Sequence, residues 1–464
     1  MTISIPKEIL NNKEETYKLI DLLSKNNISN RINLGEVFTP VSIIDELLDE
    51  LDIYYVNNYD CSIFSIPNLK WLDSTSGIGN FLIAVFFRLF KNLADKIPNE
   101  QARIKHIIKN MLYFSEINNN SSLIIEKIFD INNIKPNIFK GDSLKIDFKE
   151  YWNIPNGFDI IIGNPPYNKQ GIKSHNNNLY NSDYKTVWTD FLDHSLKHLN
   201  NNGFLVYITP LSWLRSTHKY HDILLKQKLI YLQLWDNLNS YNFLNAKIPI
   251  SLYILQNQSN NSYKTKIISK NRFHNKYIEY EILNPGVSLP TCYFSIFKKL
   301  LKFVENNKYY LEFENKTVGS TGERFLLPDK YKLSDNLAID SCVLKDGIYV
   351  KRTNNIHPHQ HLSKLIFANK SSFKQGFIDK GKLSLTGNHK FYILGPNLAK
   401  LKKLFDFKIA NVISNFTKYG QDFLDKHAFM YIPDIRLIKE PVDEPSLYKL
   451  IGFNKNELAL INKF

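Results

Sequence analysis

Residues 158–167 read Phe-Asp-Ile-Ile-Ile-Gly-Asn-Pro-Pro-Tyr. The first five of these residues are almost entirely apolar, and a short continuous apolar run is typical of a strand buried on both faces, as in a parallel sheet. The run stops at Gly163, and Pro165 and Pro166 cannot continue a central strand because they lack a backbone N–H. We therefore expect a buried strand that ends abruptly in a polar turn of fixed shape.

This turn offers two hydrogen-bond acceptors. Asn164 carries a side-chain oxygen, and the two prolines fix the backbone so that the carbonyl of Pro165 is an available acceptor. Two converging acceptors can hold both protons of one –NH2 group and direct its lone pair toward an electrophile such as a methylsulfonium. Tyr167 adds a flat ring that can stack on a planar substrate. The alternative is a proline-rich turn with a purely structural role.

Further apolar runs alternate with helical patterns on both sides of this motif. The expected strands lie at 70–73, 111–114, 158–162, 203–208, 230–235 and 250–255, and the helices at 80–93, 121–129 and 186–199. Strands that alternate with helices form a mostly parallel sheet covered on both faces. The N-terminal part is therefore predicted to be a doubly wound, Rossmann-like α/β domain.

Acidic residues and a glycine turn follow several of these strands. Asp73 precedes a turn with Gly77 and Gly79, and glycines allow a backbone to approach a ligand closely at the carboxyl end of a strand. Glu116 ends the next strand, where a carboxylate is suited to accept hydrogen bonds from ribose hydroxyls. Asp142 follows another short run and is placed to accept a bond from an adenine amino group. Each residue alone also fits an ordinary turn or a solvated carboxylate; in this order they favour a nucleoside-containing ligand.

The combined motifs resemble those of one group of S-adenosylmethionine-dependent enzymes, the amino-methyltransferases. Asn-Pro-Pro-Tyr follows an apolar strand, and an acidic-Gly-x-Gly turn lies upstream. The segment Gly35-Glu36-Val37-Phe38-Thr39-Pro40 precedes that turn and resembles the cofactor-contacting motif of the gamma-class DNA adenine-N6 methyltransferases. The resemblance covers residues 31–255, and residues 446–457 are similar to the close of many such chains.

The resemblance implies a site-specific enzyme that transfers a methyl group from S-adenosyl-L-methionine to N6 of an adenine flipped out of duplex DNA. By matching positions, the catalytic residues would be Asn164, Pro165, Pro166 and Tyr167. The cofactor-binding residues would be Phe38, Thr39, Pro40, Asp73, Gly77, Gly79, Glu116 and Asp142, and the target base would contact Tyr167 and Phe243. Two positions depart from the family pattern, since Ser74 stands where proline is usual and Ile78 where a small residue is common.

The net charge of +14 is confined to the C-terminal part of the chain. Residues 1–260 sum to zero, and residues 351–420 alone contribute +11. A polar, patternless segment at 256–263 coincides with the change, so we expect a catalytic domain at 1–260 and a basic α+β target-recognition domain at 261–464. A concentrated basic segment is typical of a polyanion-binding surface, although a basic face without a partner is the alternative.

The candidate phosphate contacts in this basic domain are Lys351, Arg352, Lys364, Lys370, Lys374, Lys380, Lys382 and Lys390. Sequence selection needs residues that reach base edges, for which Arg352, Asn354 and Asn355 are candidates. His357, His359 and His361 occupy every second position, a spacing that on a strand would place all three side chains on one face, where they could bind a metal ion. They lack an accompanying cysteine or acidic cluster, so we expect phosphate contacts or a plain surface strand here and no metal.

The composition also excludes several classes of protein. The sequence contains no uncharged apolar run of about 18 residues, so we expect no membrane span. The N-terminus also lacks the pattern of a secretory signal. Three scattered cysteines fit a reducing, intracellular setting, and we expect a cytoplasmic protein, either bacterial or from a viral factory in a host cytoplasm. The expected partner is double-stranded DNA, bound by a monomer, with a separate cognate restriction endonuclease as an open possibility. We find no carboxylate–lysine cluster of a fused nuclease.

Three other functions share part of the pattern. Glutamine methylation in protein release factors uses the same Asn-Pro-Pro-Tyr motif, but those enzymes have little after the catalytic fold, whereas about 200 residues follow it here. RNA base methylation is compatible with the charge, although the motif at residues 35–40 favours DNA. A DNA-binding module on a decayed methyltransferase fold would require the loss of a key residue, and none is lost.

Overall fold

The computed structural model describes residues 9–26, 38–131, 133–168, 186–244, 248–343, 347–368, 373, 376–386, 390–420 and 424–464. The chain divides into two compact units, Met1–Gly286 and Val287–Phe464, called unit 1 and unit 2 below. Within the described residues, no helix combines the length and the apolar character needed to cross a bilayer.

Unit 1 is built on a large sheet, which has nine strands in the described part of the chain. They are β1 (Trp71–Asp73), β2 (Leu112–Glu116), β3 (Asn137–Lys140), β4 (Phe158–Gly163), β5 (Leu199–Pro210), β6 (Gln227–Trp235), β7 (Ile250–Ser259), β8 (Lys264–Asn271) and β9 (His274–Ile282). Their order is β3-β2-β1-β4-β5-β7-β6-β8-β9. The first five are mutually parallel, and β7 runs antiparallel between β5 and β6. The predicted Rossmann-like α/β fold is confirmed.

Helices connect these strands and cover the sheet. They are α1 (Lys13–Asn26), α2 (Val41–Tyr59), α3 (Asn80–Asn92), α4 (Glu100–His106), α5 (Asn119–Phe129), α6 (Phe148–Tyr151), α7 (Trp188–His198), α8 (Lys219–Lys226) and α9 (Asn237–Leu244). Ile160 and Ile162 of β4 share one core cluster with apolar residues of α2 and α3. Ile161 points to the opposite face, as alternate strand residues must, and it is also fully buried. The continuous apolar run therefore reflects burial on both faces.

The boundary between the units lies 26 residues later than the sequence suggested, after Gly286 rather than after residue 260. The reason is that β8 pairs in parallel with β6, and β9 pairs antiparallel with β8. These two strands extend the sheet of unit 1 beyond the position at which the charge changes. The net charge of a segment reports on the surface that it forms, whereas strand pairing determines the unit to which the segment belongs.

Unit 2 combines small sheets with helices, in agreement with the expected α+β architecture. Its strands are β10 (Thr321–Leu326), β11 (Leu337–Val343), β12 (Gly347–Arg352), β13 (Ser363–Ala368), β14 (Phe377–Lys380), β15 (Ser384–Leu385) and β16 (Lys390–Leu394). They form two sheets, with the orders β10-β12-β11-β15 and β14-β13-β16. The helices are α10 (Phe294–Asn307), α11 (Leu398–Asp406), α12 (Lys408–Phe416), α13 (Glu444–Ile451) and α14 (Lys455–Ile461).

Candidate active site

Three neighbouring strands of unit 1 bring the predicted site residues to one edge of the sheet. Asp73 ends β1, Glu116 ends β2, and Asn164 directly follows β4. Because β2, β1 and β4 are adjacent and parallel, their carboxyl ends lie side by side. This is the edge at which open α/β sheets bind ligands.

The glycine turn after β1 holds a conformation that other residues adopt with difficulty. Gly77 has a φ of 55°, and Gly79, which caps α3, has a φ of 92°. The backbone N–H of Gly77 donates to Oε2 of Glu116 over 2.7 Å. A Cβ atom on Gly77 would lie only 3.0 Å from the ring of Phe38. The turn is thus packed between the end of β2 and the segment that precedes α2.

Thr39 connects the segment before α2 to two separate parts of the site. Its backbone carbonyl accepts a hydrogen bond from Nδ2 of Asn80 over 3.0 Å. Its hydroxyl accepts one from Nδ2 of Asn164 over 3.3 Å. Thr39 and Asn80 are both buried, so the bond between them is shielded from water, whereas Asn164 is partly exposed. Asn80 was not among the predicted site residues; the available signal was a polar residue at the start of an otherwise apolar helix, directly after Gly79.

Asp73 is a fully buried carboxyl group beneath this edge. Its Oδ1 accepts the N–H of Thr75 over 3.0 Å, while Oδ2 has no hydrogen-bond partner among the described residues. A Cβ on Gly163 would lie 3.1 Å from Oδ1, so the carboxyl group packs directly against the end of β4. Burial disfavours the ionised form and raises the pKa of Asp73 from 3.8 to about 7. Asp73 is therefore poised to lose its proton when a cation arrives.

Hydroxyl groups join the strand ends below the turn. Ser143 donates to the backbone carbonyl of Ser74 over 2.6 Å and lies 2.6 Å from the hydroxyl of Ser115. Ser74 in turn lies 3.3 Å from the hydroxyl of Tyr207 on β5, which also pairs with Ser195. Ser74, which replaces the usual proline, thus ties β1 to β5, and the departure from the family pattern has a structural use.

Glu116 is tied to the backbone on both sides of its carboxylate. Oε2 accepts from Gly77, and Oε1 accepts the N–H of Asn118 over 2.7 Å. These two bonds hold the carboxylate in one orientation at the ligand edge of the sheet. Ile117, the next residue, is apolar yet 60% exposed at the same edge. It was missed from the sequence, although an apolar residue directly after a strand-end acid was a visible signal.

Asp142 lies close to the end of β2, because the N–H of the preceding Gly141 donates to the carbonyl of Glu116 over 3.0 Å. Oδ1 of Asp142 accepts the N–H of Leu144 over 3.1 Å, and Oδ2 lies 3.4 Å from Nζ of Lys145. The side chain is partly exposed. It therefore combines a local turn-capping role with access to the ligand edge.

The Asn-Pro-Pro-Tyr turn ends in a partly buried tyrosine. Tyr167 is partly exposed, but its hydroxyl is buried and has no hydrogen-bond partner among the described residues, and burial raises the pKa of this phenol. The carbonyl of Tyr167 accepts the N–H of Val187 over 3.0 Å. The sequence predicts a mobile, Asn-rich loop at 168–185; Asn168 forms an isolated bridge with Thr186, and the rest of this stretch lies outside the described residues. Phe243 lies on α9, and its side chain is likewise outside the described part.

Two of the predicted phosphate contacts in unit 2 are wrong because their side chains are buried. Lys364 has no exposed side-chain surface, and its Nζ lies 2.6 Å from Oδ2 of the equally buried Asp379. The same Nζ donates to the carbonyls of His359, Gln360 and Leu362 over 3.2–3.3 Å. Lys390 is also buried and donates to the carbonyl of Thr386. Both ammonium groups are used inside unit 2.

The other basic candidates differ in accessibility. Arg352, Lys380 and Lys382 are exposed, whereas Lys351 is partly buried with its Nζ 3.5 Å from Asp340. Lys370 and Lys374 lie outside the described residues. The basic segment therefore contains both buried lysines with a structural role and exposed cations. Its total charge does not distinguish the two groups.

The alternating histidines form a turn rather than a strand. The buried His357 has Nε2 at 2.9 Å from the carbonyl of Lys316, and its Nδ1 accepts the N–H of His359 over 3.0 Å. Nδ1 of His359 lies 2.9 Å from the hydroxyl of Tyr392. The first two histidines thus hold the turn in place. Nowhere in the described part of the chain do three or more His, Cys, Asp or Glu side chains group as metal ligands do.

Residues 70–243 match the family model of the Eco57I restriction-modification methylases. This match confirms the resemblance to adenine methyltransferases of restriction-modification systems that the motifs indicate, and it covers the turn after β1, Glu116 and the Asn-Pro-Pro-Tyr motif. Unit 2 and the segment before α2 lie outside the matched residues.

Two curated relatives and one solved structure resemble parts of the chain. A Mycoplasma pneumoniae protein named "uncharacterized adenine-specific methylase" is 37% identical over 121 residues, which cover 25% of this chain and 28% of that protein. A Methanocaldococcus jannaschii protein named "putative type II restriction enzyme and methyltransferase" is 31% identical over 216 residues, 41% of this chain and 17% of that one. The chain thus spans less than a third of the length of either relative. The M protein of the type I restriction enzyme EcoKI has a TM-score of 0.38 and 15% identity, over 50% of this chain and 48% of that one.

Proposed function

We propose that this protein is a site-specific DNA methyltransferase that transfers a methyl group from S-adenosyl-L-methionine to N6 of adenine. The observation that supports this proposal most directly is the pair of hydrogen bonds that Thr39 accepts. One comes from Asn80 at the helix start after the glycine turn, and the other from Asn164. One buried residue thus positions a candidate cofactor site against a candidate acceptor site. The family match over residues 70–243 supports the same chemistry.

The residues at the strand ends fit S-adenosylmethionine. Asp73 has a buried carboxyl oxygen without a hydrogen-bond partner in the described residues, which suits a positively charged ligand. The tight packing at Gly77 leaves backbone rather than side chain at the ligand edge. The residues that would hold the cofactor are Phe38, Thr39, Pro40, Asp73, Gly77, Gly79, Glu116, Ile117 and Asp142. When bound, the cofactor supplies an electrophilic methyl group on a sulfonium.

Asn164 and Pro165 would hold the adenine amino group. The bond from Nδ2 to Thr39 fixes the amide plane of Asn164 and turns its Oδ1 away from Thr39. Oδ1 and the Pro165 carbonyl would accept the two amino protons, which directs the nitrogen lone pair toward the methyl donor. Pro166 keeps the turn rigid, and Tyr167 and Phe243 would pack against the base.

Duplex DNA is the proposed substrate, and unit 2 the proposed recognition domain. An adenine amine is inaccessible inside a duplex, so the base must be flipped out, at a cost of a few kcal/mol. Among the predicted phosphate contacts, the exposed side chains of Arg352, Lys380 and Lys382 supply charge that offsets such a cost. We further propose that the protein acts as a monomer in the compartment that holds the DNA.

The test is incubation with tritiated cofactor and, separately, duplex DNA, RNA and a protein release factor. We expect label on DNA, in a form that nucleoside analysis identifies as N6-methyladenine. Label on RNA or on protein alone would replace this function by one of the two alternatives.

Asn164→Ala separates chemistry from binding. We expect it to lower the rate of transfer by at least 100-fold, about the effect of removing one preorganised donor or acceptor, while cofactor affinity changes little. Asn58→Ala, on the exposed end of α2, is the matched control and should behave as wild type. Unchanged turnover in Asn164→Ala would refute the role assigned to this residue.

A further inference from the structure

A shallow groove lies on unit 2 and contains none of the residues assigned to the active site. It is lined by Lys332, Leu333, Ser334, Asn336, Ile356, Gln360 and His361, called the unit 2 groove below. The residues come from the turn before β11 and from the turn between β12 and β13. Gln360 is buried and its Oε1 accepts the hydroxyl proton of Ser384 over 2.8 Å, so the inner end of the groove is fixed.

Apolar side chains are unusually exposed in and beside this groove. Ile356 is 69% exposed, Leu362 48% and Leu333 37%. Leu333 and Ile356 line the same groove, and exposed apolar side chains that share a concave surface can contact a ligand. The group is small, which suits contact with the edges of a ligand rather than a large apolar interface.

Exposed cations border these apolar residues. Nζ of Lys382 donates to the carbonyl of Tyr331 over 3.4 Å and lies 5.4 Å from its ring, which places Lys382 beside Lys332. Lys380 is exposed two residues earlier. Gly381, between them, packs directly against the carbonyl of His361 on the groove wall.

Arg352 lies close to Asn336, a residue that lines the groove. It is exposed and stands opposite Leu337 in the β11–β12 pair, next to Asn336 of the groove. The N–H of Thr353 donates to the carbonyl of Asn336 over 2.9 Å, which holds the two segments together. Asp335 is the acidic residue of the rim, and its carboxylate accepts the N–H of Lys332 over 2.6 Å.

The buried ion pair gives this surface a rigid support. Lys364 of β13 stands opposite Asp379 of β14, and Asp379 also accepts the N–H groups of Lys382 and Leu383. The carboxylate therefore fixes the backbone from which Lys380 and Lys382 project. Two lysines held in this way have less freedom to lose when they bind.

We propose that duplex DNA lies across the unit 2 groove, with Lys380 and Lys382 on its phosphates and Ile356 against a base edge. This proposal rests on the proposed function. Exposed cations beside exposed apolar side chains match a duplex, whose charged backbone lies next to bases that present apolar groups such as the thymine methyl. Arg352 and Asn354 are exposed and close to Ile356 in the sequence, and they are the polar readers that this arrangement favours. A membrane surface would need a larger apolar face.

The phosphate contacts are tested by the salt dependence of binding to a fluorescein-labelled, mixed-sequence duplex, followed by fluorescence anisotropy. Each phosphate contact contributes about 0.9 to the slope of log affinity against log salt. The double variant Lys380→Ala/Lys382→Ala should therefore lower this slope by about 2. Lys402→Ala/Lys403→Ala on α11 is the matched control from the same basic segment and should keep the wild-type slope.

Ile356 is tested by its effect on methylation at sites mapped in DNA from expressing cells. Ile356→Ala should lower the methylation rate at those sites about tenfold, within the usual cost of one lost base contact, and should keep the salt slope of the mixed-sequence duplex. Leu450→Ala, another exposed apolar residue of unit 2, is the control and should match wild type. Ile356→Leu should recover most of the rate.

The outcomes separate this inference from the proposed function. Suppose that wild type binds duplex DNA. If the Lys380/Lys382 variant then keeps the wild-type salt slope, or if the Lys402/Lys403 variant shows the reduced slope, the groove is not the DNA surface. If wild type transfers no label to DNA, the proposed function fails; a reduced slope in the Lys380/Lys382 variant would still support DNA binding at the groove. Equal slopes and affinities for RNA would overturn the choice of duplex DNA.

Discussion

The buried carboxyl group of Asp73 predicts that cofactor affinity depends on pH. Burial raises its pKa to about 7, so the free protein holds a proton there below pH 7. Oδ2 has no hydrogen-bond partner among the described residues, and a ligand with a sulfonium and an α-ammonium group would favour the ionised carboxylate. Binding therefore releases a proton at acidic pH, and affinity rises with pH.

The magnitude follows from proton linkage. Below a pKa of about 7, each pH unit changes the ionised fraction of Asp73 about tenfold, and the change levels off above it. If binding returns the carboxyl group toward its ordinary pKa of 3.8, the dissociation constant should be about eightfold smaller at pH 7.5 than at pH 6. This range stays below the ordinary α-amino pKa of about 7.7–8.0, so the ligand remains mostly cationic.

The phenol of Tyr207 does not titrate in this interval. Tyr207, which faces Asp73 from β5, has its pKa raised to about 12 by burial and stays neutral. The contribution of Asp73 to the free energy of unfolding should change with pH in the opposite direction to the cofactor affinity. Between pH 4 and 7 the folded free protein binds more protons at Asp73 than the unfolded chain, so this group makes the free energy of unfolding fall as pH rises.

Isothermal titration calorimetry measures both parts of the prediction. Titrations with S-adenosylmethionine at pH 6 in two buffers of different ionisation enthalpy should reveal release of nearly one proton per site, and little release at pH 7.5. Asp73→Asn cannot ionise and should lose both the pH dependence and the proton release. A wild-type affinity that is flat between pH 6 and 7.5, or an unchanged pH dependence in Asp73→Asn, would refute the reasoning.

Two further substitutions test the site and its support. Gly77→Ala should weaken cofactor binding at least tenfold. The alanine would have to adopt a left-handed conformation that costs about 1–2 kcal/mol, and its Cβ would lie close to the ring of Phe38. The control is Gly286→Ala, which also has a positive φ but no atom within 4 Å of the added Cβ, and it should leave the affinity unchanged. An unaltered dissociation constant in Gly77→Ala would contradict the turn assignment. Lys364→Met should lower the free energy of unfolding of unit 2 by about 3–5 kcal/mol, since it leaves Asp379 buried without its partner, whereas Lys382→Met should change it by less than about 0.5 kcal/mol. Urea unfolding measures both, and equal effects would show that the buried pair is not structural.

Local patterns were sufficient to predict the architecture of unit 1. The apolar run at 158–162 is a fully buried strand because helices cover both faces of the sheet, and the order of acidic strand ends follows from the adjacency of β2, β1 and β4. The two additional strands β8 and β9 were missed. Residues 274–282 alternate in exposure at the sheet edge, so they lack the continuous apolar run that marked the central strands.

Charge was a poorer guide, because it does not distinguish a buried lysine from an accessible one. Lys364 and Lys382 both lie in the segment of highest charge, but one is in a buried ion pair and the other is exposed. The difference depends on the pairing of β13 with β14, which places Asp379 opposite Lys364. A contact between residues 15 positions apart on two strands leaves no periodic signal in the sequence.

The role of Thr39 also depends on tertiary structure. It is separated by 41 residues from Asn80 and by 125 from Asn164, yet it accepts a hydrogen bond from each. The backbone carbonyl serves the first bond and the side-chain hydroxyl the second, so displacement of this one residue moves the helix start and the acceptor amide together. A methyl transfer by direct displacement requires the donor and the acceptor nitrogen to meet in line at close range. A shared anchor between the two half-sites provides that alignment more reliably than two independent loops.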